Sequence, residues 1–247
     1  MEKVKNIWFN LLKKMNADEK LADEFWQKIS AAYSEKGRYY HTLIHVDQLL
    51  DLSIKYSDNI MDINNLQLSV FYHDVVYFAT KNNNEEKSAE LAEAHLKQLS
   101  IETEKIEKCK NFIIATKSHL NPAIDTDLDF FLDFDLEKLG APWIEYEEYT
   151  KQIRLEYKIY PKPIYNKGRK KVLEHFLTQE RIFKTLEFFE NYEQTARENL
   201  EKRACYSIQI AVKIRYLCPK FSLWKNYFVS IIIVQIRILT WLQRSIY

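Results

Sequence analysis

The stretch "GRYYHTLIHVDQLLDLSIKYS", residues 37–57, sets the terms for the rest of the chain. Its apolar residues recur at three- and four-residue steps, which predicts an amphipathic helix from near His41 to about Tyr56. On that helix His41 and His45, four residues apart, share one face. An HxxxH pair can converge two imidazoles on one ion, and it can equally be two aligned histidines of an ordinary amphipathic helix. What decides between these is the chemistry elsewhere in the chain that could meet them.

Working outward, the chain reads as helix after helix. Asn6–Lys14 and Leu21–Tyr33 precede the quoted stretch, with Asp18 near the second start and Gly37 closing the unit. After it come Asp62–Phe78, which carries His73-Asp74 towards its end, then Glu85–Leu99 behind an Asn cap, and Ile101–Lys117. Leu128–Leu139 follows and is stopped by Gly140 and Pro142. Trp143–Tyr157 is stopped by "PKP", and Gly168–Leu177 and Gln179–Glu201 complete the body. Only three glycines and five prolines interrupt 247 residues. No sustained two-residue alternation competes, so the expected class is all-α, a compact multi-helix bundle.

Charge divides the chain at one point. Residues 1–201 hold 28 basic against 35 acidic residues, a balance of −7, while residues 202–247 hold eight Lys/Arg and no acid. An acidic body is a poor non-specific nucleic-acid binder, and no specific nucleic acid is expected as a partner. The organisation that follows is a helical domain over 1–201 and a basic, apolar C-terminal extension over 202–247. Within the extension "YFVSIIIVQIRILTWL" is interrupted by Gln235 and Arg237, and its apolar runs are shorter than the roughly 20 residues of a membrane span. It reads as a helix or strand packed on the body or on a partner, as a basic membrane-surface segment, or as a frameshift product. Three cysteines without CxxC spacing, and an N-terminus without the apolar core of a signal peptide, lead to the expectation of a reduced, cytoplasmic protein.

His73-Asp74 offers an imidazole and a carboxylate side by side, mixed ligation that suits Mn, Fe, Co, Ni or Zn better than a pure oxygen site. "FFLDFDLEKLG" adds Asp133 and Asp135 inside an apolar run, where a carboxylate is costly unless paired or metal-bound. The order His45…His73-Asp74…Asp135 resembles the H…HD…D signature of the HD-domain superfamily of metal-dependent phosphohydrolases. More closely, "RYYHTLIHV", "FYHDVVY", "NNNEEKSAELA", "FLDFDLEKLG", "IRLEY", "KGRKKVLEHFL" and "TARENLE" resemble, in that order, a little-characterised bacterial branch of it, over about Trp8 to Glu201. The resemblance implies an HD-type helical bundle and a single divalent metal ion (Mn, Fe, Co, Ni, Zn or Mg) held by His45, His73, Asp74 and Asp135. Asp133 is the alternative ligand or a base behind it. "YHTLIH" also looks like the metal-helix motif of cyclic-nucleotide phosphodiesterases, which carries a general-acid role to His41. "NEEKSA" aligns with an HExxSA motif whose histidine binds a second metal in other branches. Asn84 stands in its place, which argues for one metal, with Glu85 or His119 left able to recruit another, and Glu85 then matches the acid that handles the attacking water.

Phosphoryl transfer develops charge on non-bridging oxygens, so cationic donors should surround the ion. Arg38, Lys117, His119, Arg154 and Arg169 are the candidates. Arg154 could instead pair with Glu156, and Arg169 could brace a helix. His95 and His175, without partner motifs, read as structural or exposed. The aromatics crowding the motifs (Tyr39, Tyr40, Phe71, Tyr72, Tyr77 and Phe78) read as core, with one or two free to stack on a base. The expected activity is hydrolysis of a small phosphorylated metabolite, a nucleotide first. The alternatives are an HD-fold di-iron oxygenase and a non-catalytic, metal-stabilised module for a nucleotide or a partner. P-loop, GxSxG and HExxH motifs are absent, which removes the NTPase-motor, serine-hydrolase and zincin readings.

Overall fold

A computed structural model describes residues 1–122 and 124–217, with side chains through residue 204. The chain divides into two units, Met1–Glu201 and Lys202–Tyr247. The described residues form ten α-helices, and none of them lies in a β-strand. In order these are α1 (Glu2–Lys14), α2 (Glu19–Tyr33), α3 (Leu43–Lys55), α4 (Ile63–Tyr72), α5 (Asn84–Gln98), α6 (Thr103–Ala115), α7 (Thr126–Leu136), α8 (Trp143–Glu156), α9 (Lys162–Leu177) and α10 (Leu186–Leu217). The expected all-α class therefore holds.

α4 is the centre of the bundle, packing on α3, α5, α6 and α7. Every residue from Asn65 to Tyr72 is buried, as expected of a helix enclosed on all sides. Two of its polar residues have partners there: the Gln67 amide donates to Ser53 Oγ at 3.0 Å, and the Ser69 hydroxyl donates to the Asn65 carbonyl at 3.0 Å. α1 and α2 close one side around Trp8. Its indole N–H donates to the Ala22 carbonyl at 2.9 Å, and its ring meets Phe71 edge-on at 5.1 Å. α7 enters next to α3 and α4, with Phe130, Phe131 and Phe134 all buried.

Several boundaries differ from the sequence reading, each for a local reason. α3 begins at Leu43, not near His41, because Thr42 caps it and accepts from Ile44 N–H. His41 is thus a loop residue, and the shared helical face expected for His41 and His45 does not exist. α4 ends at Tyr72, so His73-Asp74 occupy its C-terminal exit. Asn83 precedes α5 without a side-chain cap. The Asn84 amide instead bonds both the N–H and the carbonyl of Phe78, each at 3.1 Å, and ties down the loop between the elements. α9 begins at Lys162, six residues before the expected Gly168. "PKP" starts a helix as well as stopping one, because Pro163 lies in the first turn, where a missing N–H costs nothing. α10 begins at Leu186, not Gln179. The Glu193 carboxylate accepts the N–H groups of Ile182 and Phe183, and Asp133 accepts those of Lys184 and Thr185, holding 182–185 out of the helix. Of the extension, Lys202–Leu217 continues α10, and the roles expected for "YFVSIIIVQIRILTWL" fall outside the described residues. No described helix is long and apolar enough to cross a membrane.

Candidate metal centre

Three elements bring His45, His73 and Asp135 together, with Asp74 beside His73. α3 supplies His45 from its inner face, the exit of α4 supplies His73 and Asp74, and α7 supplies Asp135. His45 Nε2 lies 3.2 Å from His73 Nε2 and 3.2 Å from Asp135 Oδ1. His73 Nε2 lies 3.1 Å from Asp74 Oδ2 and 3.9 Å from Asp135 Oδ1, and His45 Nε2 lies 4.0 Å from Asp74 Oδ2. Metal–ligand bonds of about 2.1 Å keep adjacent donors about 3.0–3.4 Å apart and opposed donors at about 4 Å, which is the spread among His45, His73 and Asp135. His45, His73 and Asp135 form a group able to hold a metal ion.

The proton positions test that fit. His73 Nδ1 donates to the Val70 carbonyl at 2.9 Å, so its Nε2 carries a lone pair in the neutral ring. That lone pair faces a carboxylate oxygen at 3.1 Å and another ring nitrogen at 3.2 Å. Only a proton or a metal cation among them removes the repulsion. Burial opposes a charge on His73, yet Asp74 beside it and Asp135 draw it up to about 9, while burial pulls His45 down. Both carboxylates resist protonation. Burial works against their charge, but His73 and His41 hold Asp74 well below its usual range, and His119 and His45 do the same for Asp135. The cluster calls for a positive centre, and a metal entering it displaces protons.

The two acids of "DFD" separate as helix geometry requires, since residues two apart project to opposite sides. Asp135 faces the cluster. Asp133 faces away and accepts from Lys184 N at 2.8 Å, Thr185 N at 2.8 Å and Thr185 Oγ at 2.7 Å, so the alternative of Asp133 as ligand is withdrawn.

The cluster lies at the wall of a cavity of about 790 Å³, which Asp74 and Asp135 line together with His41, Glu85, Lys117 and His119. Glu85 is half-buried, and burial raises its carboxyl, with Asp74 adding to the rise. His41 is held at both ends: Nδ1 meets Glu156 Oε2 at 2.7 Å, and Nε2 lies 3.8 Å from Asp74 Oδ2. Its ring stacks on Tyr77 at 4.1 Å.

The five expected phosphate-binding cations diverge. Arg38 does not face the cavity. Its guanidinium donates to the carbonyls of Asp74 at 2.6 Å, Val75 at 2.9 Å and His41 at 3.3 Å, bracing the His-Asp turn from behind. Arg154 is likewise a brace: it donates to the carbonyls of Tyr157 at 2.7 Å and Tyr160 at 3.0 Å, closing the end of α8, and does not pair with Glu156. Both are corrected as ligand-binding residues, because backbone carbonyls occupy the terminal nitrogens of each guanidinium. His119 lines the cavity but serves Asp135, whose Oδ2 it meets at 3.0 Å. It does so from a left-handed backbone conformation, φ +53°, just past the end of α6. Lys117 sits at the rim, paired with Glu86 and donating to the Asn82 carbonyl at 2.8 Å. Arg169 lines the cavity. Of the two remaining histidines, His95 is buried and stacked on Phe25, and His175 is exposed and bonds Gln179.

The sequence reading missed Glu156. One oxygen of its carboxylate accepts the backbone N–H groups of Tyr39, Tyr40 and His41 at 2.7, 2.8 and 3.0 Å, and the other accepts from His41 and the Tyr77 hydroxyl. Burial works against its charge, but His41 and these N–H groups hold it down at about 2. A signal was present. Tyr146, Thr150, Ile153 and Glu156 continue one buried stripe of α8 at three- and four-residue steps, and an acid on such a stripe needs a partner. Compared with protein-family models, curated proteins and solved structures, the chain gives no match.

Proposed function

We propose that the protein is a metal-dependent phosphohydrolase of the HD-domain type, acting on a small phosphorylated metabolite, with a nucleotide as the first candidate. The observation that carries this reading is the convergence of His45, His73 and Asp135, with Asp74 beside His73, at a cavity large enough for such a molecule that Glu85 and His41 also line. The four side chains would hold one divalent ion, two imidazoles and two carboxylates giving the mixed N/O set of a hydrolytic site. Such an ion polarises a phosphoryl oxygen and lowers the pKa of a water from 15.7 to about 7.

The remaining roles belong to the chain itself. Glu85, its carboxyl raised by burial, orients the attacking water and takes its proton. His41, with Nδ1 fixed by Glu156, presents Nε2 towards Asp74 and gives a proton to the leaving oxygen. His119 holds the second oxygen of Asp135 so that the first faces the imidazoles. Arg38 fixes the backbone of the His-Asp turn, so both ligands of that turn arrive preorganised.

The test is phosphate release from a panel of nucleotides and sugar phosphates, with the purified protein loaded in turn with Mn, Co, Ni and Mg. The reading expects release with at least one metal, abolished in Asp74→Ala. Metal-loaded, folded protein that releases phosphate from none of the panel contradicts it and favours a binding module.

A further inference from the structure

The cations along the cavity differ in whether this chain has already neutralised them. Lys117 is paired with Glu86, and Lys138 sits between Glu137 and Glu145. Arg169, on α9, is different. Burial works most against its charge, and the groups that favour it are the phenols of Tyr149, Tyr146 and Tyr165, with a side-chain hydrogen bond to Tyr149, not a carboxylate. Its guanidinium carbon lies 5.6 Å from the centre of the Tyr149 ring. Its Nε and Nη2 are buried and have no hydrogen-bond partner.

Those two nitrogens are neighbours on one edge of the guanidinium, the edge whose parallel N–H bonds match the two oxygens of a phosphate or carboxylate. A guanidinium keeps its charge at any ordinary pH, so burying this edge unpaired is costly unless an anion completes it. The cavity lining continues at Gly168, the preceding residue, where an added Cβ would meet no atom within 4 Å. The aromatic path from this wall to the metal ligands is short. Tyr149 packs on Tyr40 at 4.7 Å, and Tyr40 packs on His45 at 4.7 Å.

We propose that the Nε–Nη2 edge of Arg169 receives an oxyanion of the ligand, a phosphate or a carboxylate, at a position distinct from the metal ligands. Resting on the hydrolase reading, the substrate is then a phosphate compound with two anionic groups, one at the metal cluster and one at Arg169. The receiving site itself does not depend on that reading.

Two measurements on the full-length protein separate the two statements. In chelator, which removes the metal cluster as an anion site, inorganic phosphate and acetate are titrated calorimetrically, and the tighter of the two identifies the oxyanion. Wild type binds one of them, and Arg169→Gln weakens it at least tenfold. Gly168→Asp, which adds a carboxylate to the same cavity lining, weakens it comparably. If Arg169→Gln fails to fold by circular dichroism, Gly168→Asp decides alone. Wild type that binds neither ion, or folded variants that bind as wild type does, overturns the site. For esters that the metal-loaded protein cleaves, Arg169→Gln raises KM at least tenfold where a second anionic group is present and leaves p-nitrophenyl phosphate unchanged. Equal losses on both place Arg169 on the scissile group and overturn the two-anion assignment.

Discussion

At the scale of single residues, Asp133 and Asp135 show how position on a helix divides chemistry between identical side chains. Asp133→Asn leaves Lys184 N–H and Thr185 N–H competing for one acceptor oxygen, and should cost about 1–3 kcal/mol of stability with metal content intact. Asp135→Asn should lose the metal. Denaturant unfolding together with metal analysis reads both effects, and the reverse pattern would exchange the two roles. His119→Ala frees one oxygen of Asp135 and should weaken metal affinity by about 10–100-fold, measured by competition with a chelating dye. Glu156→Gln removes the charge that positions His41 and should lower kcat by about 100-fold with KM little changed. An unchanged kcat would remove His41 from the proton transfers. That His45, His73 and Asp135 would meet was legible in the sequence because their side-chain types are few and their order is distinctive. Glu156 and the true posts of Arg38 and Arg154 were not. Most of their partners are backbone groups, which carry no mark in the sequence, and for Arg38 and Glu156 most of these lie far away along the chain.

At the scale of elements, helices were legible wherever three- and four-residue spacing ran unbroken, as in α2 with its Asp18 cap. Boundaries failed where a side chain from elsewhere captured the backbone. α10 starts late because Asp133 and Glu193 hold 182–185, and His41 stays outside α3 because Glu156 gathers the N–H groups of 39–41. One close approach is steric. A Cβ at Gly140 would lie 2.6 Å from Tyr192 Cβ and 2.8 Å from the Tyr192 carbonyl oxygen, so the turn after α7 can sit against α10 only as glycine. Gly140→Ala should therefore destabilise the protein by about 1–3 kcal/mol. Thermal unfolding checks this, and an unchanged Tm would mean that α10 moves aside freely.

At the scale of the whole molecule, stability should respond to pH through His95. Burial, with Lys28 nearby, lowers its pKa to about 4 from an ordinary 6.5, and the Tyr72 hydroxyl pairs with its Nδ1. The unfolded chain takes up that proton below pH 6.5, and the folded protein does so only near pH 4. The contribution is therefore complete above 6.5 and lost as pH falls towards 4. His95→Gln, which keeps an acceptor for Tyr72, should flatten that part of the stability profile, and parallel profiles would contradict the assignment. Metal should stabilise the folded bundle by mass action, by about 2.7 kcal/mol at a free concentration about 100 times Kd. The molecule as proposed turns on a single cation shared by His45, His73, Asp74 and Asp135. Elemental analysis of the purified protein and of Asp135→Asn, both checked for helicity, tests this most directly. The account predicts close to one divalent metal per wild-type chain and almost none in the variant. Wild type that takes up no metal when offered it, or a variant that holds as much as wild type, would contradict it.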